Sequence, residues 1–450
     1  MNKIVLRFAF LLCAVALSSA VCRAQQQPKP TPDPAETATT AAPSSQPSTT
    51  FDVKAATDAY LAKVPADKRA RSDAYFEGGY WLIFWDFLLS AGILLALLET
   101  GLSARMRDFA EHLTRRKPVQ TVFYFIQFLL LISLLGFPMT VYEGYYREHQ
   151  YGLATQSFGP WFSEQLVGLS VSLVLGSILV TLLAGVVRRL GRTWWIWGAG
   201  VSLFFAAITI VIAPVFIAPL FNNYTKLEDP KIRDPILSLA RANGIPATEV
   251  YQADTSRQST RATAYVFGFL GTERIVLGDN LLKASPAEIQ STMGHEMGHY
   301  VLNHVYKWLL YFGVVLAVAF AFLNRSLEWS LVRWGKRWGL RGITDIAVLP
   351  LAALMFTILG FLYTPIGNSY TRAAEYEADI FGLNAAQQPD GEAEVDLKLG
   401  DYRKLDPGPL EEILFFDHPS GRTRITAAMR WKKEHLPGTP LGPVPTAPPQ

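Results

Sequence analysis

Six long apolar runs, at residues 81–98, 119–141, 166–187, 194–221, 305–323 and 343–363, set the terms for any fold of this chain. A helix of about 20 such residues crosses the hydrocarbon core of a bilayer, and only helices and closed barrels satisfy their own backbone there. A buried helix of a soluble protein can imitate one run, but not six. Half of the 450 residues are hydrophobic and only 18% are charged, which fits an integral membrane protein. Pro214 and Pro219 predict a kink at the end of the fourth run.

The loops between the runs differ in charge. Arg105, Arg107, Arg115, Arg116 and Lys117 follow the first run; Arg188, Arg189 and Arg192 follow the third; Arg325, Arg333, Lys336, Arg337 and Arg341 follow the fifth. In 142–165, Arg147 is the only Lys or Arg. The positive-inside rule makes the basic loops cytoplasmic, so 142–165, 222–304 and the carboxyl-terminal part face outward, into the periplasm if the cell is a two-membrane bacterium. Residues 1–24 give the same parity: Lys3 and Arg7, an apolar stretch and then small residues predict a signal peptide or signal anchor of an inner-membrane protein. Residues 25–50, rich in Pro, Gln and Thr, and the Pro-rich 436–450 lack the apolar content for a core and predict disorder. Both cysteines, Cys13 and Cys22, lie in the first segment, so no disulfide framework or cysteine metal site is available elsewhere. A scattered net charge of +3 argues against a nucleic-acid partner. The expected partners are the lipid bilayer and a peptide or membrane-protein substrate.

Between the fourth and fifth runs lies His295-Glu296-Met297-Gly298-His299. Residues four apart on a helix share a face, so His295 and His299 can offer two imidazoles to one metal ion. Glu296 is rotated off that face, where it can serve a metal-bound water as general base. Ser285, Pro286 and Glu288 form a capping box that starts this helix, which is expected to run unbroken to His304 and the fifth run. Residues 231–243 read as a helix ended by Gly244, and 248–252, 263–269 and 274–277 as short strands with a turn at Gly271. After the sixth run, 368–384 reads as a helix with Glu375 and Asp379 on one face. Glu375 is the candidate third ligand, and Asp379 can fix the tautomer of a ligand histidine. Glu377 reads as part of a solvated face, and His304 as a helix-end residue or a partner of a ligand. Leu302 and Val305 stand where a metzincin requires Gly and His, which excludes that class.

His-Glu-Met-Gly-His followed by Glu375-Tyr376-Glu377-Ala378-Asp379 after a two-span hairpin resembles the type 1 CAAX prenyl protease family. Ile217-Ala218-Pro219-Leu220-Phe221, Ala264-Tyr265-Val266-Phe267-Gly268, Arg274-Ile275-Val276-Leu277 and His418-Pro419-Ser420 with Arg424 are similar to further motifs of that family. The resemblance spans residues 80–435. It implies one Zn²⁺ held by His295, His299 and Glu375, with Glu296 as general base and Asp379 behind a ligand. It also implies that His418 and Arg424 face the substrate carbonyl, and that Thr263, Ala264, Tyr265, Val266 and Phe267 form the edge strand that the substrate joins. Prenyl-processing members have seven spans and a site facing the cytosol, whereas this chain has six runs and loop charges that favour the extracytoplasmic side.

The expected fold is mostly α: a multi-span helical membrane protein with a small α+β, gluzincin-like zinc peptidase domain. Its segments are a four-span region at 51–221, a peptidase part at 222–304, a two-span hairpin at 305–366 and a second peptidase part at 367–435. The expected activity is that of a zinc metalloendopeptidase acting on membrane-associated or lipidated proteins. The rivals are a quality-control protease for envelope proteins and an inactive membrane scaffold. Glu296, Glu375 and Asp379 together argue against the scaffold, which has no need of all three.

Overall fold

The computed structural model describes residues 51–267 and 273–436. The signal-like segment 1–24, the linker 25–50, the turn at Gly271 and the tail beyond Leu436 lie outside the described residues.

The chain opens with α1 (Val53–Leu61), capped by the Asp52 carboxylate, and α2 (Ala66–Glu99). Then follow the amphipathic α3 (Leu102–Leu113), α4 (Lys117–Val141), a π turn (Tyr142–Tyr146), the short α5 (Arg147–Gln150), α6 (Phe158–Leu190) and α7 (Trp194–Ile212). Among the described residues, five helical stretches are long and apolar enough to cross a membrane, and one of them is the 63-residue stretch Phe158–Leu220. As one rod it would reach about 95 Å at 1.5 Å per residue. Instead Gly191, at φ 50°, breaks it, and α7 packs back along α6, so this stretch supplies two crossings. The six apolar runs thus become six helices. At the predicted kink, Pro214 sits in a π turn and Pro219 in a 3₁₀ turn. Leu310 and Phe204 stay 73% and 68% exposed, where lipid would cover them.

The basic loops meet at one end of the bundle. Arg107 is buried and donates to Asp345 at 2.5 Å and to the Gly339 carbonyl at 2.9 Å, while Arg341 pairs with Asp108 and Glu111. The opposite end carries a four-stranded sheet of β1 (Tyr224–Lys226), β2 (Val250–Ala253), β3 (Ala264–Phe267) and β4 (Arg274–Gly278). The order is β1-β2-β4-β3; β2 and β4 run parallel and the other pairs antiparallel, which leaves β3 at an edge. Ile275 and Leu277 of β4 pack with Ile236 and Ile245 against Met293 and Met297, forming the apolar core behind the HExxH helix. Arg261, three residues before β3, pairs with Glu148 at 2.7 Å and donates to the Tyr75 hydroxyl at 2.7 Å, which ties the insert to the bundle.

Helix α8 (Pro230–Ala242) lies in the insert, and α9 (Pro286–Val301) carries the motif. Then come α10 (His304–Trp334) and α11 (Leu349–Ala386), followed by α12 (Pro389–Leu399), α13 (Pro409–Phe415) and α14 (Gly421–His435). Two expectations need correction. The helix after His299 does not run on into the fifth run: it ends at Val301, and Asn303 takes a left-handed conformation (φ 58°) before α10 starts. The core on α9 and the bundle contacts of α10 require different axes, and Asn is among the few residues that tolerate such a turn. Conversely, the sixth run and the predicted helix 368–384 are one 38-residue helix, α11, with Pro365 inside it.

Candidate active site

The site is built on the contact between α9 and α11. The Ser285 side chain accepts from the Glu288 N–H while the Glu288 carboxylate accepts from the Ser285 N–H, which fixes where α9 starts and so the phase of its faces. Gly294 and Gly298 of α9 lie against Ala378, Gly382 and Ala386 of α11, so close that a Cβ on Gly382 would stand 2.8 Å from the His295 nitrogen. Small residues at four-residue spacing on both helices are a signal in the sequence that reasoning from the ligands alone passes over.

This close approach gathers the donors. His295 Nε2 and His299 Nε2 are 3.1 Å apart. Glu375 of α11 brings one carboxylate oxygen to 3.3 Å from His295 Nε2 and the other to 3.6 Å from His299 Nε2. Ligands held at about 2.0–2.2 Å around a tetrahedral zinc stand roughly 3.3–3.5 Å from one another. Two imidazoles and one carboxylate at these separations therefore fit a zinc ion that keeps one position open. The three donor atoms lie within 4.8 Å of one another.

Behind the donors, each histidine is held at its other nitrogen. His295 Nδ1 donates to Asp379 at 2.8 Å, and His299 Nδ1 lies 2.8 Å from His304 Nδ1. Burial lowers the proton affinity of His295, but the Asp379 and Glu375 carboxylates outweigh it and raise it. Glu296 is half-buried, and burial pushes its carboxyl up against the opposing pull of the His295 and His299 imidazoles. His418 reaches the site from the segment before α14: its Nδ1 donates to Asp417 at 2.8 Å, and its Nε2 stands 3.3 Å from Glu375.

Arg424 is a correction. Instead of facing a substrate carbonyl it is buried behind the site, donating from Nε to Asp379 at 2.9 Å and pairing with Glu392 at 3.1 Å and Asp396 at 3.0 Å. Its place on α14 turns its side chain toward α11 and α12, where Asp379 and Glu392 neutralise it beside Asp396. Glu377 is half-exposed, as a solvated face implies, yet it also accepts from His304 and Lys307. Ala264 to Phe267 form β3, whose edge away from β4 has no strand partner among the described residues; Thr263 precedes the strand and accepts the Gly278 N–H at 2.7 Å. Glu392 and Asp396 had no signal in the sequence, since nothing in their spacing points to Arg424.

A helical membrane bundle that presents two histidines and a carboxylate to one ion, with a second carboxylate beside them, defines the class: a membrane-embedded metallopeptidase. Comparison with known proteins agrees. The model of peptidase family M48 matches residues 226–432, and one described as CAAX prenyl protease N-terminal, five membrane helices, matches 53–223. The uncharacterized metalloprotease YhfN of Bacillus subtilis is 29% identical over 371 residues, covering 82% of this chain and 86% of that protein. CAAX prenyl protease 1 of Saccharomyces cerevisiae is 28% identical over 335 residues, covering 69% and 73%. The crystal structure of S. mikatae Ste24p shares the fold, with a TM-score of 0.69 at 19% identity over 84% of this chain and 96% of that one. Residues 226–432 thus match peptidase family M48, whose members use a metal ion, generally zinc.

Proposed function

We propose that the protein is a zinc metalloendopeptidase of the bacterial inner membrane that cleaves membrane-associated or lipidated proteins on the extracytoplasmic side. The observation that carries the reading is the spacing of His295, His299 and Glu375, which suits one zinc ion. The catalytic unit is then assembled from 222–304 and 367–435, on either side of the two-span hairpin 305–366. The side is read from the basic loops, which gather at the end of the bundle away from the site.

A bound zinc ion supplies a Lewis acid that polarises the scissile carbonyl and brings the pKa of water to about 7. Glu296 takes a proton from the attacking water and returns it to the leaving nitrogen as the C–N bond breaks. His418 donates from Nδ1 to Asp417, and with a hydrogen on Nε2 as well it can donate from there to the oxygen that takes on negative charge. The free edge of β3 pairs with an extended substrate backbone. Ser259 and Arg261, just before β3, also line an open cavity of about 1010 Å³ within the bundle, which gives a membrane-borne peptide a route to that edge.

The test uses purified, detergent-solubilised protein with a farnesylated CAAX peptide and an unmodified membrane peptide. Glu296→Gln should abolish turnover and leave one zinc bound per chain; full activity of that variant would remove Glu296 from the chemistry. Preference for the farnesylated peptide supports a lipidated substrate, equal cleavage of both supports envelope quality control, and cleavage of neither revives the scaffold.

A further inference from the structure

We infer that His304, itself held by Glu377, is a positioning residue that fixes the tautomer and ring orientation of His299. The inference rests on reading His299 as a metal ligand. Asn303 is one of only two described residues other than glycine with positive φ, and its turn folds the first residue of α10 back under the end of α9. The His304 side chain is thereby 4% exposed, with its ring edge-on to His299 at 70° and 5.0 Å between centroids.

Proton placement then has one consistent solution. Two ring nitrogens 2.8 Å apart share one hydrogen. If His299 offers Nε2 to a metal, its hydrogen sits on Nδ1, and His304 Nδ1 must accept it. The hydrogen of His304 is then on Nε2, which stands 3.2 Å from a Glu377 oxygen that also accepts from Lys307 Nζ at 3.0 Å. The chain from His299 to Lys307 is satisfied at every link. His295 is oriented by a carboxylate and His299 by a neutral imidazole, so the two ligands are held by chemically different partners.

The test is zinc affinity, measured by chelator competition on the full-length protein in detergent, with the unfolding midpoint of the zinc-free form as a control for folding. His304→Leu keeps the bulk and removes the acceptor; it should weaken zinc binding about 10–100-fold and alter the absorption spectrum of the cobalt-substituted protein. His304→Asn can accept the same hydrogen with Oδ1 and should restore affinity to within about threefold of the native value. Glu377→Gln, at a half-exposed position that leaves the fold intact, should weaken binding by about threefold to tenfold. Native affinity in both His304→Leu and Glu377→Gln would overturn the inference, as would His304→Asn being no better than His304→Leu. His299→Ala is measured alongside: loss of zinc there with native affinity in His304→Leu overturns the inference alone, whereas full zinc binding by His299→Ala overturns the ligand reading and the inference with it.

Discussion

Gly382→Ala tests the contact on which the site depends. The added Cβ would lie 2.8 Å from the His295 nitrogen and 3.1 Å from the Gly294 carbonyl carbon and the His295 Cα. Non-bonded heavy atoms prefer about 3.5–4.0 Å, so α9 and α11 must part by about 0.7 Å at this point. His295 Nε2 and Glu375 are 3.3 Å apart in the native protein. The same displacement carries them to about 4 Å, past the roughly 3.3–3.5 Å that a tetrahedral zinc bridges. Overpacking of this kind costs about 1–3 kcal/mol of stability, and a displacement of about 1 Å at a reacting centre can cost about 100-fold in rate. Zinc competition, turnover and thermal unfolding in detergent read all three effects. Gly185→Ala, where an added Cβ meets nothing within 4 Å, serves as the neutral control. Native zinc affinity and turnover in Gly382→Ala would refute the claim that this contact sets the donor spacing.

Asp396 shares the single Arg424 cation with Asp379 and Glu392, and burial, reinforced by those two carboxylates, pushes its carboxyl well above the ordinary range. The folded protein keeps a proton that the unfolded chain releases above about pH 3.9, so stability falls as pH rises toward the folded value, by at most about 1.4 kcal/mol per unit. Asp396→Asn should therefore unfold at a higher temperature than the native protein at pH 7–8, by a margin that narrows toward pH 5; a margin independent of pH would sink the assignment of that proton. Arg424→Met leaves Asp379 and Glu392 buried without their cation and should cost about 3–5 kcal/mol. An unchanged unfolding midpoint in detergent would show that Arg424 does not neutralise the cluster.

Much of this architecture was legible because it rests on local and periodic signals. The apolar runs mark the helices, the capping box marks the start of α9, and the spacing within the two motifs marks which side chains share a face. The departures come from tertiary demands that act over longer distances. Asn303 breaks the helix because the core of Met293 and Met297 and the bundle contacts of α10 pull in different directions, and neither demand is visible in the residues around it. Pro365 does not end α11, because its missing N–H falls where the helix is already committed on both sides. Arg424 was placed on the wrong side of the site because residue spacing fixes the origin of a side chain, not the direction in which a long one extends. The carboxylates that draw it inward, Glu392 and Asp396, belong to another helix.

The continuity of α11 also bears on where the chemistry stands relative to the bilayer. Glu375 lies 26 residues beyond Leu349, the first residue of α11 (375 − 349 = 26). At 1.5 Å per residue that is about 39 Å, against a hydrocarbon core of about 30 Å. A tilt of about 20°, ordinary for such helices, shortens the rise to about 37 Å. With Leu349 taken at one hydrocarbon edge, Glu375 stands about 7 Å beyond the other, at headgroup level, and His304 at the start of α10 reaches the same level from the neighbouring helix. One rigid helix thus sets both the anchorage in the membrane and the position of a site carboxylate. A bond cleaved there would be one that a membrane-borne substrate exposes a few residues beyond the bilayer, and bonds farther along a soluble tail would reach the site only by bending back.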